Sequence, residues 1–565
     1  MIRILITTLL LAVSVTASAQ QLEITTEASP QALCASGSST LSAYPAIAGF
    51  SGTPLPQPGN RPVVTITFAE PVTADDFTLQ KADLKYDKDF GYSIQIDDGL
   101  THITDYAFPL LEGGEVDGET FPGLFYTDGC GNDIPFKMAT AHYSWNAYND
   151  NDMHDPENGY ADLGDNGTVT WDQIISMYNN GWGIYNHGFY DNGTAGGLEY
   201  TINRNHSYTK RNTHPGIPGG IDMNLFVIPA SSTELGPVAI QNGYNQILSA
   251  NYQLGDPYYN INTAPYYNEE ISRYFGNSTI LPAVEQLAEA AEEGIKGMAT
   301  TGTHQLSWQD FKQDMETIED EYGKSGTDQL WFATSEEVIQ YLYVRDHVEL
   351  ATQISGNTVT IELTGELPDD LRFYALSLLV ESDKEITQVD IENGFNSSHN
   401  TDFEDNTLIN LNWNERVISS PQSLAEEFTT QAETNEDSHE ALIAMDYTMM
   451  IEDTVTQNYF LSRLCAIPGV ELPDGLCQDL PEYSFQWLAD GEVFSNEPVT
   501  EVTPNETTTY SVVMTTGNEE LTGEVTVEVT DPPTVEVAEG ETVCPNESLT
   551  LSATAENYSA FMWQS

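Results

Sequence analysis

The sequence predicts a multidomain protein whose first half is α/β and whose remainder is β-rich. Two observations carry this. Between residues 81 and 345, runs that alternate apolar and polar residues interleave with runs of helical period, the pattern an α/β layer requires. From residue 349 onward helical period survives in one stretch only, and short alternating runs separated by Asn, Gly and Pro take over. At 565 residues the chain has room for about three to five domains.

Residues 1–19 read as an export signal. Arg3 supplies the positive start, Ile4 to Val15 the apolar core, and Ala17-Ser-Ala19 the small-residue cleavage site. That apolar run is too short for a bilayer, and no other stretch reaches about 20 apolar residues. The expectation is a secreted or cell-surface protein with no membrane insertion. Residues 20–80 form a Ser/Pro/Gly-rich lead-in with one strand, Pro62-Val-Val-Thr-Ile-Thr-Phe68.

Residues 81–348 hold the α/β region. Thr170 and Gln173 form a capping box for a helix that buries Trp171, Ile174 and Tyr178 and stops at Gly181. Val284, Leu287, Ala288 and Ala291 line a second helix, closed by Gly294. Ser307 opens a third, striped by Phe311, Met315, Ile318 and Tyr322; Thr334 with Glu337 opens a fourth after the strand Leu330-Trp-Phe-Ala333.

Residues 349–480 read as an accessory β region with a helical segment. Thr358 to Leu363 alternates, Phe373 to Val380 is a long apolar run, and Ala441, Leu442, Met445 and Met449 fall at helical spacing. Residues 481–532 carry the short strands Phe485-Gln-Trp487, Thr509 to Val513 and Gly523 to Val529, an immunoglobulin-like β-sandwich pattern. A second, truncated module starts at 533 and stops mid-strand at Ser565, so the chain reads as part of a longer product.

Charge excludes whole classes of partner. There are 87 Asp and Glu against 18 Lys and Arg, a formal net charge of −69. Phosphate recognition needs clustered cations, which argues against nucleic acid and against anionic membrane surfaces. Most of this charge reads as a solvated acidic surface, with acidic loops as candidate calcium sites. Of five cysteines, Cys465 and Cys477 flank a Pro/Gly-rich loop and are placed to bridge in an oxidising compartment. No CxxC pair supports a cysteine zinc cluster.

The chemistry concentrates in two segments. In Tyr92-Ser-Ile-Gln-Ile-Asp-Asp-Gly99, a buried strand delivers two carboxylates to its carboxyl end, where barrel and open-sheet enzymes build their sites. In Gly181-Trp-Gly-Ile-Tyr-Asn-His187-Gly-Phe-Tyr-Asp191, a second strand is followed by a histidine and an aspartate four residues apart, which are metal-ligand types. Together they point to a metal-dependent hydrolase.

At these residues the chain resembles the polysaccharide deacetylases of the NodB-homology type (carbohydrate esterase family 4). Their Thr-Phe-Asp-Asp-Gly motif stands here as Gln95-Ile-Asp-Asp-Gly99, and their His-Ser/Thr-x-x-His motif as His187-Gly-Phe-Tyr-Asp191. Their late Leu-x-His stands as Thr301-Gly-Thr-His304. The resemblance covers residues 85–345 and implies a distorted seven- or eight-stranded β/α barrel. It implies Asp97 as general base, His304 as the acid for the leaving group, and Asp98 and His187 as metal ligands. Asp191 takes the place of the family's second histidine as third ligand. The implied cofactor is a divalent metal, zinc first, with cobalt or manganese as alternatives. The implied substrate is an acetylated polysaccharide, cleaved at an amide C–N or an ester bond.

The chain departs from the family where an Arg-Pro-Pro-Tyr motif should orient the base. Phe226-Val-Ile-Pro229 stands there instead, which leaves Arg204 or Arg211 as replacements. A catalytically weak or inactive carbohydrate-binding or adhesive protein is the alternative reading, and a hydrolase of another substrate a third. His102, His142 and His206 read as structural. Asp128, in Tyr126-Thr-Asp-Gly-Cys-Gly-Asn132, belongs to a loop over the site or, more simply, to a glycine-rich turn.

Overall fold

The computed structural model describes residues 22–29, 31–34, 38–147, 149–156, 167–190, 197–232, 234–250, 258–262, 266–470, 472–473, 475–517, 519–530, 534–537 and 553–556. The export signal expected at 1–19 lies outside them, as do Asp191 and most of 533–565. Among the described residues no helix is long and apolar enough to cross a membrane. The chain divides into two compact units, Thr53–Met450 and a second made of Met1–Gly52 with Ile451–Ser565.

The unit Thr53–Met450 is built around a ten-stranded sheet. Its strands are β1 (Phe90–Ile96), β2 (Ala139–His142), β3 (Gly183–Asn186), β4 (Leu225–Val227) and β5 (Gln246–Ser249). They continue with β6 (Tyr258–Asn260), β7 (Glu269–Ser272), β8 (Tyr274–Phe275), β9 (Gly297–Thr303) and β10 (Leu330–Phe332). The order is β6-β9-β1-β2-β3-β4-β5-β7, with β8 on β9 and β10 on β1. Every pairing is parallel except β6 with β9. All of β1 is buried, as a parallel strand covered on both faces must be.

The expected helices form where their caps stand. Helix α1 (Trp171–Asn179) has the full Thr170–Gln173 capping box. Helices α2 (Leu198–Thr213) and α3 (Leu235–Gln241) follow; neither was read from the sequence. Helices α4 (Ile280–Glu292), α5 (Trp308–Tyr322) and α6 (Ser335–His347) complete the set, with Thr334 accepting from the Glu337 amide at the start of α6. The apolar faces of α1, α4, α5 and α6 join β1 in one core that includes Tyr92, Ile94, Ile174, Leu287, Phe311 and Phe332, while Ile202 of α2 and Leu235 and Ala239 of α3 pack in a smaller cluster with Phe226 and Ile247. Helix α2 has no apolar stripe to read: it buries Arg204, Asn205, Ser207, Thr209 and Lys210 among its tyrosines.

The expectation of an α/β distorted barrel followed by separate β modules is corrected. Among the described residues strand exceeds helix, 35 % against 29 %, and is spread over many small sheets, with one curled half-barrel sheet among them. The physical reason lies in the ladders. β3 and β4 share a single register pair, Asn186 with Phe226. Farther on, the chain changes partner at Arg273: β7 bonds to β5 and β8 to β9, so the hydrogen-bonded ring is interrupted there.

Two four-stranded antiparallel sheets share a second core in this unit. One has the order Glu349–Ser355, Thr358–Thr364, Val63–Phe68, Ile386–Glu392; the other Ser398–Phe403, Asn406–Trp413, Tyr374–Ser382, Phe77–Lys81. Val64, Ile66, Val359, Leu376, Ile409 and Trp413 meet between them. Residues of the lead-in thus complete the accessory region. The helical stretch resolves into α7 (Pro421–Asn435) and α8 (Ser438–Met449), separated by the left-handed Glu436 and the Asp437 cap.

The Tyr126–Asn132 loop is a turn closed by its own carboxylate. Asp128 Oδ1 accepts from the amides of Cys130 (2.8 Å) and Asn132 (3.0 Å), and Oδ2 accepts from Asn132 Nδ2 (2.8 Å) and Ser398 Oγ (2.7 Å). Burial pushes this carboxyl up, but the bonds from Asn132, Ser398 and Cys130 outweigh it and hold the pKa below the usual range. Asp128→Asn is expected to destabilise the protein by about 2 kcal/mol at neutral pH. A depressed folded pKa gives stability that is present above the unfolded value near 4 and lost as pH falls through the folded one. Urea unfolding should therefore show the penalty shrinking below about pH 4; an unchanged penalty there would refute the role.

Among the described residues the other unit carries two larger sheets: Leu22–Ser29, Ser39–Ile47, Val499–Val502, and Ala32–Cys34, Glu519–Thr530, Thr508–Thr516, Tyr483–Ala489, Glu492–Ser495. Helix α9 (Thr454–Ala466) is capped by Asp453, whose other oxygen accepts from the Ile47 amide at 2.7 Å. The expected Cys465–Cys477 bridge forms, with Cα atoms 5.7 Å apart. Of the last module, Thr534–Val537 pairs antiparallel with Ala553–Glu556.

Candidate active site

β1 ends in the turn Asp97-Asp98-Gly99. Asp98 and Gly99 both take left-handed backbone angles, φ 66° and 64°. Gly99 has a second reason to lack a side chain: a Cβ would stand 3.0 Å from His142 Cβ and 3.1 Å from His154 Cε1. The turn drives the two carboxylates in different directions.

Asp97 is 2 % exposed and forms a bidentate pair with Arg273. Nη1 donates to Oδ1 at 2.8 Å and Nη2 to Oδ2 at 2.6 Å. Burial alone would raise the Asp97 pKa; Arg273 overrides it, with help from His187 and His304, and the carboxyl lies below its ordinary value. Gly302 on β9 makes room for the guanidinium, since a Cβ there would come within 2.2 Å of Nη1.

Asp98 lies between two imidazoles. His187 Nε2 is 3.6 Å from Oδ1, and His304 Nε2 is 3.6 Å from Oδ2. Burial raises the Asp98 pKa, opposed by His187 and reinforced by the charge of Asp97. His187 follows β3 and is 2 % exposed. Its Nδ1 stands 2.7 Å from the Val227 carbonyl, which can only accept, so Nδ1 carries a proton. In the neutral ring the Nε2 lone pair then faces a carboxylate. That arrangement calls for a cation between them, and a carbonyl fixing the distal nitrogen is the usual support for a metal-bound histidine. His304 is more open, with Phe275 beside it at 5.1 Å between ring centres.

Imidazole and carboxylate donors suit zinc and its neighbours in the first transition row. Among the described residues no group of three or more His, Cys, Asp or Glu is arranged around one ion, and Asp191 lies outside them. Asp98 and His187 are the described pair that would hold a metal.

Four other histidines make contacts within the fold. His142 and His154 are buried side by side, Nδ1 to Nε2 at 2.9 Å, beneath the Asp-Asp-Gly turn. Burial lowers the pKa of both. His102 Nδ1 accepts from the Leu306 amide at 2.8 Å and so anchors the segment after His304. His206 faces Asp222 at 3.4 Å.

Arg273 is the residue that sequence reasoning missed. Arg204 and Arg211 instead reach the buried Asp446, at 2.8 and 3.3 Å. One signal was there to be used. The chain has few cations, and Ile271-Ser-Arg273-Tyr-Phe275 sets one of them in an otherwise strand-like run, where a buried charge needs a partner. No protein-family model matches the chain, and no curated protein matches its sequence.

Proposed function

We propose that the protein is an exported, metal-dependent hydrolase that removes acetyl groups from a glycan. The observation that supports this most is the junction of two carboxylates: Asp97 clamped by Arg273, and Asp98 beside it between His187 and His304. A divalent ion on Asp98 and His187 would polarise the acetyl carbonyl and acidify a water molecule. Asp97 is kept ionised and aimed by the guanidinium, and takes the proton of that water. The clamp sacrifices some basicity for a fixed direction. His304, at the open side, returns a proton to the departing nitrogen or oxygen.

The test is acetate release from acetylated chitin, xylan and peptidoglycan fragments, with added zinc or cobalt. Asp97→Asn and His304→Ala are each expected to lower the rate by about 10²–10⁴-fold, the usual contribution of a positioned acid or base. Metal binding without acetate release from any of these would turn the reading toward a glycan-binding protein.

A further inference from the structure

Three consecutive amides hold the turn that follows β3, and each donates to a fixed acceptor. His187 N donates to the His142 carbonyl at 3.2 Å, Gly188 N to Asn186 Oδ1 at 2.9 Å, and Phe189 N to Thr201 Oγ1 at 2.9 Å. With the bond from His187 Nδ1 to the Val227 carbonyl, they fix both the backbone and the ring of His187. All three acceptors lead back to helix α2.

Thr201 lies on α2, and Asn205 stands one turn later on the same face. Both are wholly buried, as are Asn186 and Ser144. The His142 carbonyl can only accept, so the Asn205 atom 3.0 Å from it is Nδ2. The Gly188 amide can only donate, so the Asn186 atom that faces it is Oδ1. Asn205 Nδ2 gives its second proton to that same Asn186 oxygen at 2.9 Å, and Asn205 Oδ1 accepts from Ser144 Oγ at 2.6 Å. Asn186 Nδ2 donates to the Ile202 carbonyl at 2.9 Å and to Tyr244 Oη at 2.6 Å. Every polar atom of the two carboxamides is committed. An apolar face would pack α2 without this desolvation; a fully satisfied polar network adds direction and rigidity.

We infer that Asn205 and Thr201 are positioning residues that hold the His187 imidazole at its angle to Asp98. Asn205 ties down the acceptors of the His187 and Gly188 amides, and Thr201 is itself the acceptor for Phe189. A metal-bound imidazole must keep its lone pair aimed, and groups that orient such a ligand govern affinity by about 10–100-fold. That His187 is a metal donor rests on the function proposed above; the hold on its ring is read without metal.

The first measurement is proton exchange at His187 Nδ1 in metal-free protein with isotope-labelled histidine, the signal being identified by its absence in His187→Ala. Asn205→Asp keeps the side-chain shape and the acceptor for Ser144 Oγ but removes both donated bonds. It is expected to speed that exchange by about tenfold or more. Thr201→Val removes the acceptor for Phe189 N and should act in the same direction, which keeps the test open if Asn205→Asp does not fold. Asp128→Asn, destabilised elsewhere in the same unit, should exchange like the parent. The second measurement is cobalt titration followed by visible absorption: Asn205→Asp should weaken binding by about 10–100-fold and shift the band, and Asp128→Asn should do neither. Parent-like exchange in both Asn205→Asp and Thr201→Val would overturn the inference. So would an equal effect of Asp128→Asn, which would show lost stability alone. Faster exchange in Asn205→Asp, with no cobalt bound by the parent, would uphold the hold on His187 and count against the metal reading.

Discussion

Arg273→Leu is expected to destabilise the protein by about 3–5 kcal/mol, because it strands the Asp97 carboxylate in the interior. The pair is buried on both sides, at 2 % side-chain exposure each, so water cannot replace the lost guanidinium. Urea unfolding measures the loss. The pairing itself predicts the rescue: adding Asp97→Asn removes the stranded charge and should recover most of the stability, with a coupling of at least about 1 kcal/mol between the two sites. Acetate release should fall in the single variant and stay low in the double one, since neither retains an aimed base. Arg273→Lys separates charge from geometry, since an ammonium cannot make the two parallel bonds of Nη1 and Nη2. It should keep more stability than leucine and lose most of the rate. If Arg273→Leu unfolds like the parent protein, the buried pair does not have the weight given to it.

The second large effect belongs to the proposed metal donors. Asp98→Asn removes the charge while keeping a side chain that tolerates the left-handed backbone at φ 66°. It is expected to abolish stoichiometric zinc, measured by elemental analysis of the purified protein, and to lower acetate release by about 10³-fold, equivalent to about 4 kcal/mol of barrier. His187→Ala should do the same, because its Nε2 lies 3.6 Å from that carboxylate on a ring fixed by the Val227 carbonyl. Retention of one zinc per chain in both variants would sink the assignment.

Local features were legible in the sequence and long-range ones were not. Asp97, Asp98 and Gly99 announce themselves because a seven-residue buried strand runs straight into them. Thr170 with Gln173, and Thr334 with Glu337, mark helix starts through bonds spanning three residues. Arg273 stayed hidden because its partner lies 176 residues away and no local period records such a pairing. Helix α2 was missed because its buried face is made of Arg, Asn, Ser and Thr that hydrogen-bond to neighbouring elements, so hydrophobic period is silent there. The interrupted ring follows the same logic. Strand runs can be counted, but whether β7 and β8 share a partner depends on where a single arginine turns.

The layout of the unit that joins Met1–Gly52 to Ile451–Ser565 has a consequence for the order of synthesis. Ser39–Ile47 pairs with Val499–Val502, and Ala32–Cys34 with Glu519–Thr530. At ribosomal rates of about 5–20 residues per second, the later strands emerge roughly 20–90 s after the earlier ones. Thr53–Met450 is synthesised within that interval and is complete before the later strands emerge, while the first hairpin waits with an open edge. Glu23 and Glu27 on Leu22–Ser29 are the kind of charges that keep a waiting edge from pairing with strangers. The chain's first strands are therefore among its last to be completed.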